Sequence, residues 1–184
     1  MDMYLLPGPA VVVIRTLAAD LTEDDLAAPT PCAGWDVRAL TGHLLHWGPS
    51  LEGAARKETV PPGAVAGLTP AGQLDRLAEA WSAPAAWEGE THMAGPAPLP
   101  ADVVGGMVLG ELVVHGWDLA RALGRSAEWD EDLVEVVYRE SARMADQGRA
   151  MGVYGPEVQV PDAAPRLARL LALTGRDPGW AAPA

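Results

Sequence analysis

The chain has 184 residues, a formal net charge of −12 and a single cysteine, Cys32. That length suits one domain around one sizeable core, and the acidic balance, with no basic run anywhere, argues against a nucleic-acid partner and against an anionic membrane surface. One cysteine excludes an internal disulfide and a thiolate cluster, so any metal site must be built from His, Asp and Glu.

No stretch approaches the roughly 18 apolar residues of a membrane helix. The first segment carries the apolar run Val11–Ile14 but lacks a basic start and a small-residue cleavage motif, so it is expected to be the first helix of a soluble, cytoplasmic protein. That helix is predicted over about 9–21, with Pro9 near its start and Ile14, Leu17 and Leu21 at spacings of three and four. After the acidic patch Glu23–Asp25, the run Pro29–Trp35 is too rich in Pro and Gly for regular structure, and Asp36 is placed to cap the next helix.

The second helix, about 37–57, puts Val37, Leu40, Leu44, Trp47 and Leu51 on one stripe. At about 100° per residue, His43 lies roughly 80° from the centre of that stripe and His46 roughly 140° from it. His43 therefore looks along the edge of the core, whereas His46 faces solvent or a loop. A loop over 59–68 precedes a third helix, about 70–87, which Pro84 ends or kinks near Ala83. The stretch through Pro100 reads as a long irregular connection of the kind that covers functional sites, and no β-hairpin signal is visible in it.

The fourth helix, about 101–123, is apolar nearly all round, which marks it as the central one. Glu111, His115 and Asp118 fall within about 60° of one another on its wheel. A fifth helix is predicted over about 131–147 and a short one over about 163–173, with a loose tail over 176–184. The fold expected from these elements is all-α, as a single domain over 1–184.

Spacing alone leaves two readings of Glu111 and His115. They form either an ordinary i,i+4 pair in a hydrogen-bonded core or, with His43 from the facing helix, a two-His, one-carboxylate metal site with positions left open. Asp118, one turn beyond His115, then serves as a hydrogen-bond acceptor behind the ligand or as a base. His92, in the Pro/Gly loop, is expected at the surface within reach of a bundle-end site, and Cys32 is expected as a small loop or core residue. The seven tryptophans of this Phe-free chain are mainly core filling, with Trp35, Trp47 and Trp117 as candidates for lining a pocket.

The run Thr30–His43, TPCAGWDVRALTGH, resembles the TPCxGWxVxxLxxH signature of actinobacterial proteins of the DinB/YfiT-like superfamily. Within that superfamily it is most similar to the mycothiol-dependent maleylpyruvate isomerase N-terminal-domain group, including its short metal-binding members. Glu111–Ala120, ELVVHGWDLA, resembles the second signature of that group, and Leu173–Pro178, LTGRDP, resembles the ending of the short members. The resemblance implies a DinB-like four-helix bundle with additional short helices and long loops, holding a divalent metal, zinc first and nickel or iron as alternatives, on His43, Glu111 and His115. It also implies a low-molecular-weight thiol such as mycothiol as cofactor or co-substrate.

The isomerase carries a further C-terminal domain that helps form its active site. A chain of this length is expected to lack it and to act on something other than maleylpyruvate. The activity expected is metal-dependent thiol transfer or isomerisation of a small electrophile, with Asp118 or His46 as candidates for proton transfer and a homodimer as one possible assembly. A metal-stabilised binding protein without turnover, and a metal-assisted lyase or cyclase, are the alternatives. A fourth protein ligand from Asp118 or His92 would favour the first of these.

Overall fold

Residues 2–182 are described by the computed structural model. After a 3₁₀ turn at Met3–Leu5 come α1 (Pro7–Ala18), α2 (Glu23–Leu26), α3 (Val37–Ala55) and α4 (Pro70–Trp81). A 3₁₀ turn at Pro84–Trp87 leads to β1 (Glu90–His92) and β2 (Pro98–Pro100), followed by α5 (Ala101–Ala122), α6 (Glu131–Ala150) and α7 (Arg166–Leu173). α1, α4, α3 and α5 close a ring in which each helix packs on the next, while α6 lies on the outer side of α5 and α7 packs on α6. This is the expected all-α bundle with short additional helices.

The ring explains the composition of α5. It meets α1 and α3 within the bundle and α6 outside it, so it has no solvent face to make polar. Val104, Val108, Leu109, Leu112, Val113 and Leu119 are all fully buried. By length and composition α5 is apolar enough to cross a membrane, contrary to the expectation that no stretch approaches that limit. However, 78% of the qualifying window is buried inside the protein, where bundle packing accounts for its character.

Helix ends follow local chemistry. Asp36 accepts a hydrogen bond from the Ala39 backbone N–H at 2.7 Å and starts α3 as expected. Thr69 caps α4, with Pro70 in its first turn, and the helix stops ahead of Pro84. The acidic patch after α1 forms the one-turn helix α2, closed by a capping box between Thr22 and Asp25.

The irregular connection before α5 also differs from expectation. β1 and β2 pair antiparallel, with Thr91 opposite Leu99. Pro98 and Pro100 hide this pairing from a sequence reading, because proline is tolerated only where a strand donates no ladder bond. The hairpin is tied to the bundle by buried Thr91, whose hydroxyl donates to the Ala54 carbonyl at 2.5 Å.

One carboxylate is buried between α3 and α4. Glu52, with its side chain 3% exposed, accepts from Arg56 at 2.5 Å and from Arg76 at 2.9 and 3.0 Å. Burial would raise its carboxyl, but the hydrogen bonds and charges of Arg76 and Arg56 outweigh burial and hold it below the usual range. Both arginines stay half in water, which screens the pairs. Arg76→Ala should therefore cost about 2 kcal/mol at neutral pH, read by urea denaturation. With the folded-state value below 4.5, this stabilisation is complete above that pH and fades as acid protonates Glu52. The gap between wild type and variant should narrow accordingly, and a gap that stays constant would contradict this origin.

Candidate metal centre

The loop before α3 shows what the Thr-Pro-Cys-Ala-Gly-Trp-Asp run does physically. The Thr30 N–H and hydroxyl both donate to the Trp35 carbonyl, at 3.0 and 2.9 Å, and the Cys32 N–H donates to the Thr30 hydroxyl at 3.2 Å. Gly34 takes the left-handed backbone, φ +80°, that this reversal requires. Folded this way, the loop lays Trp35 against two histidines. Its ring stacks on His115 with centroids 5.8 Å apart and planes 16° apart, and meets His43 at 5.0 Å. Asp36 then starts the helix that carries His43.

His43 from α3 and Glu111 and His115 from α5 converge. His43 Nε2 lies 2.9 Å from Glu111 Oε2, and His115 Nε2 lies 3.4 Å from the same oxygen. One donor atom from each residue lies within 4.8 Å of the others. Donors about 2.0–2.2 Å from a tetrahedral ion stand roughly 3.4 Å apart, so the cluster is near the spacing that a divalent ion needs. The donor set, two imidazoles and a carboxylate, also suits such an ion. His43 and Glu111 keep about a quarter of their side-chain surface open, while His115 is 8% exposed.

Electrostatics favours the liganding form of Glu111. Burial would raise its carboxyl, but the charge of His115, the hydrogen bond and charge of His43, and Arg176 beyond them hold it at about 2. His115 Nδ1 points the other way, to Asp118 Oδ2 at 3.0 Å. A carboxylate only accepts, so Nδ1 donates to Asp118, and Nε2 is the ring nitrogen that faces Glu111. Asp118 is fully buried, and the same Oδ2 accepts from Arg176 at 3.1 Å.

The remaining candidates lie apart from the cluster. His46 is exposed, with its ring edge-on to Trp47. His92 sits in β1, half-buried, and Trp117 is buried with the Arg121 guanidinium 6.0 Å from its ring centroid. Cys32 is half-buried, with Arg176 Nη2 3.6 Å from its sulfur. Burial pushes the Cys32 thiol up, with the carboxylates of Asp118 and Glu111 adding to the effect and Arg176 opposing it, so it is a weak nucleophile.

The residue that sequence reasoning missed is Arg176. The sequence predicts a loose tail from 176 onward, but Arg176 is 7% exposed, and the segment through Trp180 is docked, with Arg121 donating to the Trp180 carbonyl at 3.0 Å. The final two residues of the expected tail, 183–184, lie outside those described. Arginine is almost never buried unless paired, and its partner, Asp118, is 58 positions away. The only signal in the sequence was the LTGRDP ending itself.

Comparison with known proteins agrees with this architecture. The family described as mycothiol maleylpyruvate isomerase N-terminal domain matches residues 9–120, and the chain belongs to that family. Two uncharacterized proteins from strains of Mycobacterium tuberculosis are each 28% identical over 180 residues, spanning 96% of this chain and 98% of their own. Crystal structures of the mycothiol-dependent maleylpyruvate isomerase and of a mutant of it superpose with TM-scores of 0.56 and 0.57 at 16% identity. The likeness covers 98% of this chain and 81% of theirs, and it shows a shared fold.

Docking of the C-terminal segment depends on Gly175, whose φ is +85° and whose position would bring a Cβ within 2.5 Å of the Gly155 Cα. Gly175→Ala meets both a disfavoured backbone and a backbone clash. It should lower stability by about 2 kcal/mol or more in chemical denaturation. An unchanged midpoint would show that this contact does not hold the segment.

Proposed function

We propose that this member of the mycothiol maleylpyruvate isomerase N-terminal-domain family is an enzyme that holds one divalent metal on His43, Glu111 and His115. Its reaction would be thiol transfer to, or isomerisation of, a small electrophile. The observation that carries the reading is the convergence of three donors from two helices, with the far nitrogen of His115 fixed by buried Asp118. Three protein donors on an ion that takes four leave a position for substrate. Neither Asp118, which faces the opposite ring nitrogen, nor His92 belongs to the cluster among the described residues, which favours turnover over a closed structural site.

A bound divalent ion would supply Lewis acidity, favouring the thiolate form of a thiol or polarising a carbonyl at neutral pH. The protein's own part follows from the geometry. Glu111 stays ionised as an anionic ligand, and Asp118 holds His115 in the tautomer that offers Nε2. Trp35 covers the two imidazoles and limits water on that side. Asp118, with its Oδ2 already taken by two donors, acts as an orienting group rather than as a base. Zinc suits the donor set, and nickel and iron share the same ligand preferences. The thiol named for the family and for its solved relatives, mycothiol, is the first co-substrate to try.

The test is metal analysis of protein purified without chelator, beside His43→Ala and His115→Ala. About one equivalent in the wild type, lost in both variants, is expected for a three-ligand site. Wild-type content far below one equivalent and unmoved by either change would overturn the reading. Calorimetry with mycothiol should then show binding to the metal-loaded wild type and none to His115→Ala, and equal binding to both would remove the metal from thiol recognition.

A further inference from the structure

We propose that Arg176 is a positioning residue of the metal centre, acting through Asp118 on the orientation of His115 so that docking of the C-terminal segment sets metal affinity. The inference rests on the metal reading above.

A buried carboxylate needs a compensating partner. Asp118 has no exposed surface, and it finds compensation at one oxygen, where His115 Nδ1 at 3.0 Å and Arg176 Nη2 at 3.1 Å both bond Oδ2. Asp118 Oδ1 has no hydrogen-bond partner among the described residues. The atom that orients the ligand is therefore the atom the guanidinium holds. An ion pair serving only to lock the fold would not need to share that oxygen.

The guanidinium is itself held in place. Arg176 Nη1 donates to the Thr174 carbonyl at 2.9 Å, and its backbone N–H donates to the Leu171 carbonyl at 2.8 Å, which ties it to the C-terminal end of α7. Its Nη2 also reaches Cys32, in the loop that lays Trp35 over both histidines. Arg176 thus touches Asp118 of the α5 motif and Cys32 of the loop motif, from a segment more than fifty residues further along the chain than either. When Arg176 is lost, Asp118 keeps its burial and loses its cation, and the carboxylate is free to re-aim, taking His115 with it.

Co²⁺ titration followed by visible d–d absorption tests this, since band position and intensity report ligand geometry. Arg176→Met and Asp118→Asn should each weaken Co²⁺ binding by about 10–100-fold and change the band, with the double variant no worse than the weaker single one. Arg149→Met is the control, because Arg149 bonds the Leu173 carbonyl at the end of α7 without contacting Asp118. It should lose stability and keep wild-type Co²⁺ affinity.

If Arg176→Met does not fold, Arg176→Lys takes its place. Lysine keeps the charge but lacks the fork that spans Thr174 and Asp118, so a severalfold loss is expected. A folded Arg176 variant that binds Co²⁺ within about twofold of wild type, with the same band, overturns the inference while leaving the metal reading intact. A wild type that takes up no Co²⁺ overturns both.

Discussion

A ladder of three polar side chains on the most buried helix is the constraint to which the rest of this protein answers. Glu111, His115 and Asp118 follow one another along one face of α5, inside a surround of Val, Leu and Gly. Buried polar groups cost several kcal/mol each when unpaired, so every partner must be delivered by another part of the chain. His43 of α3 meets Glu111, and Arg176 from beyond α7 meets Asp118. The ring of helices brings the first partner to the ladder, and the α6–α7 layer brings the second.

The chain of contacts has a direction. Arg176 compensates Asp118, Asp118 fixes the orientation of the His115 ring, and His115 turns Nε2 toward Glu111. The first two steps are hydrogen bonds to one oxygen, Asp118 Oδ2, and a carboxylate behind an imidazole is a common means of orienting the ring. The low pKa of Glu111 is the outcome at the far end, where positive partners outweigh the cost of burial. Trp35 covers one face of the His115 ring, and the fold of its loop depends on the hydroxyl of Thr30 and the backbone of Gly34. A sequence motif that looks like a loose Pro/Gly loop thus folds on its own hydrogen bonds and sets Trp35 against both histidines.

Much of this was legible before any coordinates. Helical angle separated His43 from His46 by reference to the apolar stripe of α3, and the structure leaves the first half-buried in the cluster and the second exposed. The i,i+4 and i,i+3 spacings placed Glu111, His115 and Asp118 on one face, because helix geometry is local and fixed. What escaped were features whose cause is not local. The short β1–β2 pair carries prolines that argue against a strand, and α2 is a single turn made by one capping box. α5 is long and apolar enough to cross a membrane, which the sequence reading denied, and its neighbours in the bundle account for that character. Arg176 looked like part of a solvated tail because nothing near it in sequence needs a cation.

The amino-acid sequence alone determined the helices of the bundle, the centrality of α5, the separate fates of the two α3 histidines and the shared face of Glu111, His115 and Asp118. All of these follow from periodicity and chain-neighbour geometry. Only the tertiary structure decided that the donors of α3 and α5 meet at ion-sized spacing, that Trp35 lies over them, and that the C-terminal segment sends a buried arginine back to Asp118. Those contacts join residues up to 144 positions apart, and they exist because burying the polar face of α5 leaves charges that only distant segments can satisfy.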